Sequence, residues 1–140
     1  MSEENVEIVR RGYERYAAGD YEGVSALFAP DAELAGDGGL GIADTAATTR
    51  RGPEGFLRAT EEALEAFEDY RVRAEDFIDA NEAVVVAVRI SGQGKGSGLE
   101  METLLAHLWV FRSDGKVVRG EVYRSVAEAL EAAGLSESDS

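Results

Sequence analysis

Apolar positions along the chain follow two rhythms, a helical one in the first half and a two-residue one in the second. Val6, Val9, Tyr13, Tyr16 and Ala17 fall on one face of a helix over residues 4–18. Gly19-Asp20 ends it and opens a shorter helix from Tyr21 to Phe28, which Pro30-Asp31 stops. Ala32 to Ala35 makes a short strand. The glycine-rich, small-residue stretch 36–49 reads as a long loose loop, either a lid over an entrance or plain disorder. Pro53 sits in the first turn of a third helix running to about Phe67, with Phe56, Leu57, Thr60, Leu64 and Phe67 as its apolar stripe.

Strands follow. Tyr70 to Ile78 alternates, Asn81-Glu82 turns it, and Ala83–Ser91 is a valine-rich run suited to the middle of a sheet. A glycine-rich link, Gly92–Gly98, leads to the strand from Glu100 to Arg112. Its lysine invites a phosphate-binding reading, but such loops open a helix, and here a strand follows. Ser113-Asp114-Gly115-Lys116 makes a hairpin into the last strand, 116–124. Val126–Ala133 is a final helix, and residues 136–140 read as a disordered tail. The pattern predicts one α+β domain over residues 1–135, a curved antiparallel sheet with three N-terminal helices on its concave side.

One strand carries the chemistry. Side chains alternate along it, so Thr103, Leu105, His107, Trp109 and Phe111 share a face. His107 and Trp109 are the only histidine and the only tryptophan, and a titratable ring within so aromatic a face marks a core, a pocket or a partner surface. Composition narrows the classes. With no cysteine among 140 residues, disulfides, thiolate catalysis and sulfur-ligated metals are excluded. A lone histidine without matched ligand spacing predicts no metal, and no cofactor motif is present. The net charge of −14 disfavours nucleic acid and anionic membranes, and the arginine pairs at 10–11, 50–51 and 71/73 are each flanked by acids. No apolar run approaches the ~20 residues of a membrane span, and Ser2-Glu3-Glu4 does not open a signal peptide, so a cytoplasmic protein is expected.

The element order, with AAGDYEGVSALFAPDAEL at 17–34, RGPEGFL at 51–57, HLWVFRSDGKVVRGEVY at 107–123 and SVAEALEAAGL at 125–135, resembles a known superfamily. It is similar to ketosteroid isomerase, SnoaL-type polyketide cyclases, limonene epoxide hydrolase and nuclear transport factor two. The resemblance implies a cone-shaped α+β barrel, a curved sheet wrapped around N-terminal helices, with an apolar pocket on the concave face. It also implies a homodimer through the opposite face, where Glu121 and Tyr123 would lie. His107 stands where the isomerases place an aspartic acid that donates to the dienolate oxygen, and Trp109 and Phe111 fall on pocket phenylalanines. The same comparison, counted from 81–83 and from Lys116, puts Ala87, Arg89, Ser91, Val118, Gly120, Val122 and Arg124 on the concave side. The isomerase base position falls on Gly36, one residue from Asp37, and the oxyanion tyrosine position on Gly12, beside Tyr13. Arg89 matches the arginine of the epoxide hydrolase, but Val122 stands where it has an aspartate. No catalytic set of the superfamily is complete.

The candidate catalytic residues are His107 and Arg89. His107 is an acid/base or oxyanion donor, or a buried ring bonded to a carbonyl or water. Arg89 either pairs with an internal carboxylate such as Glu102 or Asp37, or receives an anionic or carbonyl-bearing ligand. Tyr13 and Tyr16 present hydroxyls to the pocket or pack with hydroxyls at its rim, and Phe28, Phe56, Leu105, Trp109, Phe111, Val122 and Arg124 complete the expected lining. Glu100 and Glu102 lie on the other face, a carboxylate pair or a solvated strand edge. Three functions stay open. The chain is an acid/base isomerase, cyclase or hydrolase acting on an apolar carbonyl-bearing molecule, a binding protein using the same pocket, or a dimeric interaction module.

Overall fold

The computed structural model describes residues 2–35, 49–80 and 82–134. Helices α1 (Ser2–Ala17) and α2 (Tyr21–Ser25) precede strands β1 (Phe28–Ala35) and β2 (Thr49–Arg51). Helix α3 (Gly52–Ala66) leads into β3 (Phe67–Ala80), β4 (Ala83–Gly94), β5 (Glu100–Phe111) and β6 (Val117–Tyr123), and α4 (Val126–Ala132) follows. The six strands form one curved, unclosed sheet in the order β2-β1-β6-β5-β4-β3. The position of the 36–48 segment, of Asn81 and of the 136–140 tail lies outside the described residues, as do the base position at Gly36 and Asp37. Among the described residues no helix is long and apolar enough to cross a membrane.

Local chemistry sets most boundaries. The Asp20 carboxylate accepts the Gly23 N–H at 3.0 Å and starts α2, and the Ser125 hydroxyl accepts from Glu128 to start α4. The second helix ends at Ser25 rather than Phe28, because Phe28 pairs with Val117 of β6 and begins a strand. Pro30 falls in the register break of that pairing, between Phe28 and Glu33, where its missing N–H is tolerated. The β1–β6 pair is parallel, the one departure from the expected antiparallel order, and β2 adds a short antiparallel strand beside β1 where a loop end was expected. Gly52 joins β2 to α3 at φ +66, and a Cβ there would lie 2.5 Å from the Pro30 carbonyl oxygen.

Register assigns the faces. Val86 lies opposite His107, Val84 opposite Trp109 and Val88 opposite Leu105, and directly opposed residues share a face. Val84, Val86, Val88 and Ile90 therefore join Trp109 and Phe111 in the inner core, packed with Val9 and Tyr16 of α1 and Phe56 and Ala63 of α3. Ala83, Val85, Ala106 and Leu108 face the other way, under Ala129 and Leu130 of α4. This overturns the concave placement of Ala87, Arg89 and Ser91, which stand on the outer face. A strand buried on both sides has no polar alternation from which to read its parity, and a shift of one residue in the turn count reverses it.

On β6 the inner positions are fixed by Gly120 opposite Trp109 and Val122 opposite His107, with a register break at Val118. A Cβ at Gly120 would lie 2.5 Å from Trp109 Cζ3 and 3.1 Å from Leu34 Cδ2, so the indole lies directly on β6 backbone. Gly120→Ala is therefore expected to displace the indole and lower stability by about 1–3 kcal/mol, the usual range for overpacking. Urea denaturation followed through the single tryptophan checks this, and an unchanged midpoint and emission maximum would refute it.

Candidate functional site

Helix α1 carries Tyr13 and Tyr16 three residues apart on its inward stripe, and β5 carries His107 and Trp109 on the facing side. The three groups Trp109, Tyr13 and His107 form one hydrogen-bonded array. Trp109 Nε1–H donates to the Tyr13 hydroxyl oxygen at 2.9 Å, and Tyr13 Oη lies 2.6 Å from His107 Nδ1. The indole can only donate, so the tyrosine oxygen accepts there and its O–H points to the imidazole. Nδ1 is then the acceptor, and the neutral ring carries its proton on Nε2, a tautomer assigned from this order of bonds. Ring contacts reinforce the array: His107 stands 6.0 Å from Tyr13, nearly parallel, and 5.5 Å from Trp109, edge to face.

His107 is fully buried. The Tyr13 hydroxyl is enclosed too; burial pushes its pKa far above the ordinary tyrosine range, against a smaller lowering from the Trp109 bond. Tyr13 thus stays a hydroxyl donor and not a phenolate. The array borders a cavity of about 50 Å³, walled by Tyr13, Tyr16, Phe28, Phe56, His107 and Trp109 with Val9, Val24, Leu27 and Val117 among them. No charged side chain lines it among the described residues. That volume takes a few water-sized groups, well below the roughly 300–1,000 Å³ of a site for a drug-sized ligand.

The remaining candidates lie elsewhere. Arg89 is on the outer face, where Nε donates to Glu75 Oε2 at 2.9 Å and Nη1 to Glu102 Oε1 at 3.2 Å. The Glu75 bond, its charge and then Glu102 hold the guanidinium pKa up. Arg89 therefore takes the salt-bridge alternative, and the sheet separates it from His107. Leu105 and Phe111 pack in the inner core away from the cavity, and Val122 is half-buried opposite His107 without lining it. Arg124 is exposed just past the end of β6, where strand alternation no longer directs it inward. Among the described residues no group of three His, Cys, Asp or Glu side chains could hold a metal ion. The sequence reading missed Ile8, Val9, Gly12, Val24, Leu27 and Val117 in the cavity wall. Gly12 was findable, since it shares the helical stripe of Val9 and Tyr16.

Comparison with known proteins gives a family and a fold. Residues 9–120 match the model of the SnoaL-like domain. No curated protein sequence matches the chain. Among solved structures, an NTF2-like protein from Burkholderia xenovorans is 27% identical with a TM-score of 0.70, covering 95% of this chain and 97% of its own. A protein of ketosteroid isomerase-like fold from Catenulispora acidiphila, solved with trimethylamine, is 20% identical with a TM-score of 0.68, covering 92% and 93%. TerC, co-crystallised with polyporic acid, is 23% identical with a TM-score of 0.69, covering 93% and 98%.

Tyr13→Phe removes the partner of two buried ring nitrogens, each worth about 1–3 kcal/mol when orphaned. A urea midpoint equal to wild type at neutral pH would show that the array is not stabilising. The pH dependence has a definite sign. Tyr123, whose hydroxyl donates to Glu121 at 2.7 Å, is raised by burial and by that carboxylate from 10.0 to about 12, and Tyr13 is raised further. The native state thus keeps protons that the unfolded chain releases, so this stabilisation is complete below pH 10 and declines as pH rises toward about 12 and beyond. Urea midpoints measured from pH 9 upward are expected to fall, less steeply in Tyr13→Phe and Tyr123→Phe.

Proposed function

This chain belongs to the SnoaL-like domain family, and we propose that it binds a small, mainly apolar molecule bearing one carbonyl oxygen in the cavity beside His107. The observation that carries this reading is the Trp109–Tyr13–His107 array, a polar group set into an otherwise apolar wall. With Tyr13 directed at Nδ1, the neutral imidazole carries its donor hydrogen on Nε2, and a carbonyl is the ligand group of matching chemistry. A carboxylate is disfavoured inside, because no cation lines the cavity to pair with it. Solved relatives hold small molecules, trimethylamine in one and polyporic acid in another, which supports the ligand class in general terms.

Binding is favoured over turnover by the lack of any carboxylate in the described cavity wall and by the outward position of Arg89. In the second reading, acid/base isomerisation, cyclisation or hydrolysis, His107 carries the proton and Arg89 has no part. The reading includes a cytoplasmic homodimer. Its interface is assigned to the part of the outer face that α4 leaves uncovered, around Leu104, which is 56% exposed and opposite Arg89.

Acetone, the smallest ketone, is a suitable probe for so small a cavity, with Trp109 fluorescence as a reporter within the cavity wall. His107→Ala is expected to weaken ketone binding about tenfold, the effect of one lost hydrogen bond of ~1.4 kcal/mol, and His107→Gln, which keeps an N–H donor, to recover part of it. Equal affinity in wild type and His107→Ala would remove His107 from recognition. Deuterium exchange at the ketone α-carbons in D2O, followed by NMR, separates the two readings. Exchange in wild type that is lost in His107→Ala would establish acid/base chemistry, whereas binding without exchange supports the first reading.

A further inference from the structure

Two glycines of this fold are explained by what a side chain there would strike. A Cβ on Gly120 or Gly52 would lie 2.5 Å from its nearest neighbour, an indole carbon in one case and a backbone carbonyl oxygen in the other. Gly12 has no such reason. It lies inside α1, five residues before the helix ends at Ala17, and is not among the glycines of positive φ. Beyond its own helix and chain neighbours, a Cβ there would meet a single atom within 4 Å, Leu27 Cδ1 at 3.2 Å. That atom is the far end of a flexible side chain, not backbone.

Gly12 is nonetheless buried. A buried position whose Cβ would have one neighbour borders empty space, and the space that Gly12 borders is the cavity beside Tyr13 and His107. Alanine would suit this position better on both counts that govern stability. It is the better helix former, since glycine loses more backbone freedom on folding. Its methyl group would also fill part of a void, and voids lined by protein atoms are destabilising. Neither backbone conformation nor packing requires glycine here. What its missing side chain provides is room.

We propose that Gly12 is the size-determining residue of the cavity: it keeps open the space that the apolar part of the ligand occupies, and a methyl group at this position closes the site while strengthening the fold. The ligand class narrows accordingly, because a cavity of about 50 Å³ admits a carbonyl flanked by methyl-sized groups and little more. The inference rests on the cavity reading for the nature of the ligand. It does not rest on it for the space, which any small apolar guest reports.

The test compares wild type, Gly12→Ala and Gly12→Ala/Leu27→Ala as full chains. Stability is read from urea denaturation, ketone binding from acetone titration followed by Trp109 fluorescence, and free space from backbone amide NMR shifts under xenon pressure. Xenon enters dry apolar cavities and needs no hydrogen bond. Gly12→Ala is expected to unfold at a higher urea midpoint than wild type, while its xenon and acetone affinities fall about tenfold or more. Leu27→Ala on that background removes the atom nearest the added methyl, and is expected to restore most of the xenon binding at a lower midpoint. Stability and binding that move in opposite directions distinguish reserved space from a merely structural glycine. The proposal is overturned if Gly12→Ala lowers the midpoint, if it leaves xenon affinity unchanged, if wild type binds no xenon, or if the folded double variant does not regain it. Xenon binding that follows the expected pattern without any acetone binding supports the role of Gly12 and refutes the ketone reading alone.

Discussion

The indole of Trp109 resting on the bare backbone of Gly120 is the contact on which the site depends. It brings the indole face within a van der Waals distance of β6, which only a residue without a Cβ permits. The ring then lies at the height where its N–H meets the hydroxyl of Tyr13, a residue of α1 that is 96 positions away in sequence. That bond occupies the tyrosine oxygen as an acceptor and directs its proton to His107. One close approach in the sheet thus decides where the first helix sits, which tautomer the histidine adopts and how much space is left beside it. Each of these is local geometry transmitted through packing, because a close-packed interior leaves little room for the rings to adjust.

How legible this was in the sequence depends on whether a signal was local. The β5 face was legible because Glu100 and Glu102 fix the outward parity at the start of the strand, and the register runs without a break from there to His107. The α1 stripe was legible from its helical spacing. The faces of β4 were not, since valines at 84, 85, 86 and 88 fill both sides and cancel the alternation. Residue 89 then inherited its direction from a turn count, and the register with β5 reversed it. The parallel pairing of β1 and the extra strand β2 were hidden because they are decided by partners distant in sequence. The resemblance supplied the curved sheet and the inward position of His107. The Trp109–Tyr13–His107 bonds span 96 and 94 positions, so no short-range pattern announces them.

Arg89 shows why the reversal is physically sensible. An inward guanidinium would need a buried counter-charge, and paired or not, its desolvation is expensive. Outside, it bridges Glu75 of β3 and Glu102 of β5 from the strand between them while all three side chains retain access to water. Exposed pairs of this kind contribute little each, so the triad matters more for marking the polar part of the outer face than for stability. The apolar part of that face, Val85, Ala106 and Leu108, is covered by α4 of the same chain. The outer layer that the sequence assigned to a second subunit is therefore partly supplied internally.

The same separation of charge governs what the inside can recognise. Within the cavity the only polar side-chain groups among the described lining are the tyrosine hydroxyls and the aromatic ring nitrogens of His107 and Trp109, all of them uncharged, and the imidazole must lose other bonds to become charged. Protonating Nδ1 would place a donor against a hydroxyl already directed at it and already accepting from Trp109, so Tyr13 would have to turn its proton elsewhere in an apolar wall. The order of bonds in the array therefore matches the neutral imidazole. Recognition inside depends on shape and apolar contact. Charge acts at the margin, where the exposed Arg10 of α1 stands 4.7 Å from the Phe77 ring centroid. Tyr13 and Tyr16 line both the cavity and a groove between α1 and β3, so α1 separates the two environments.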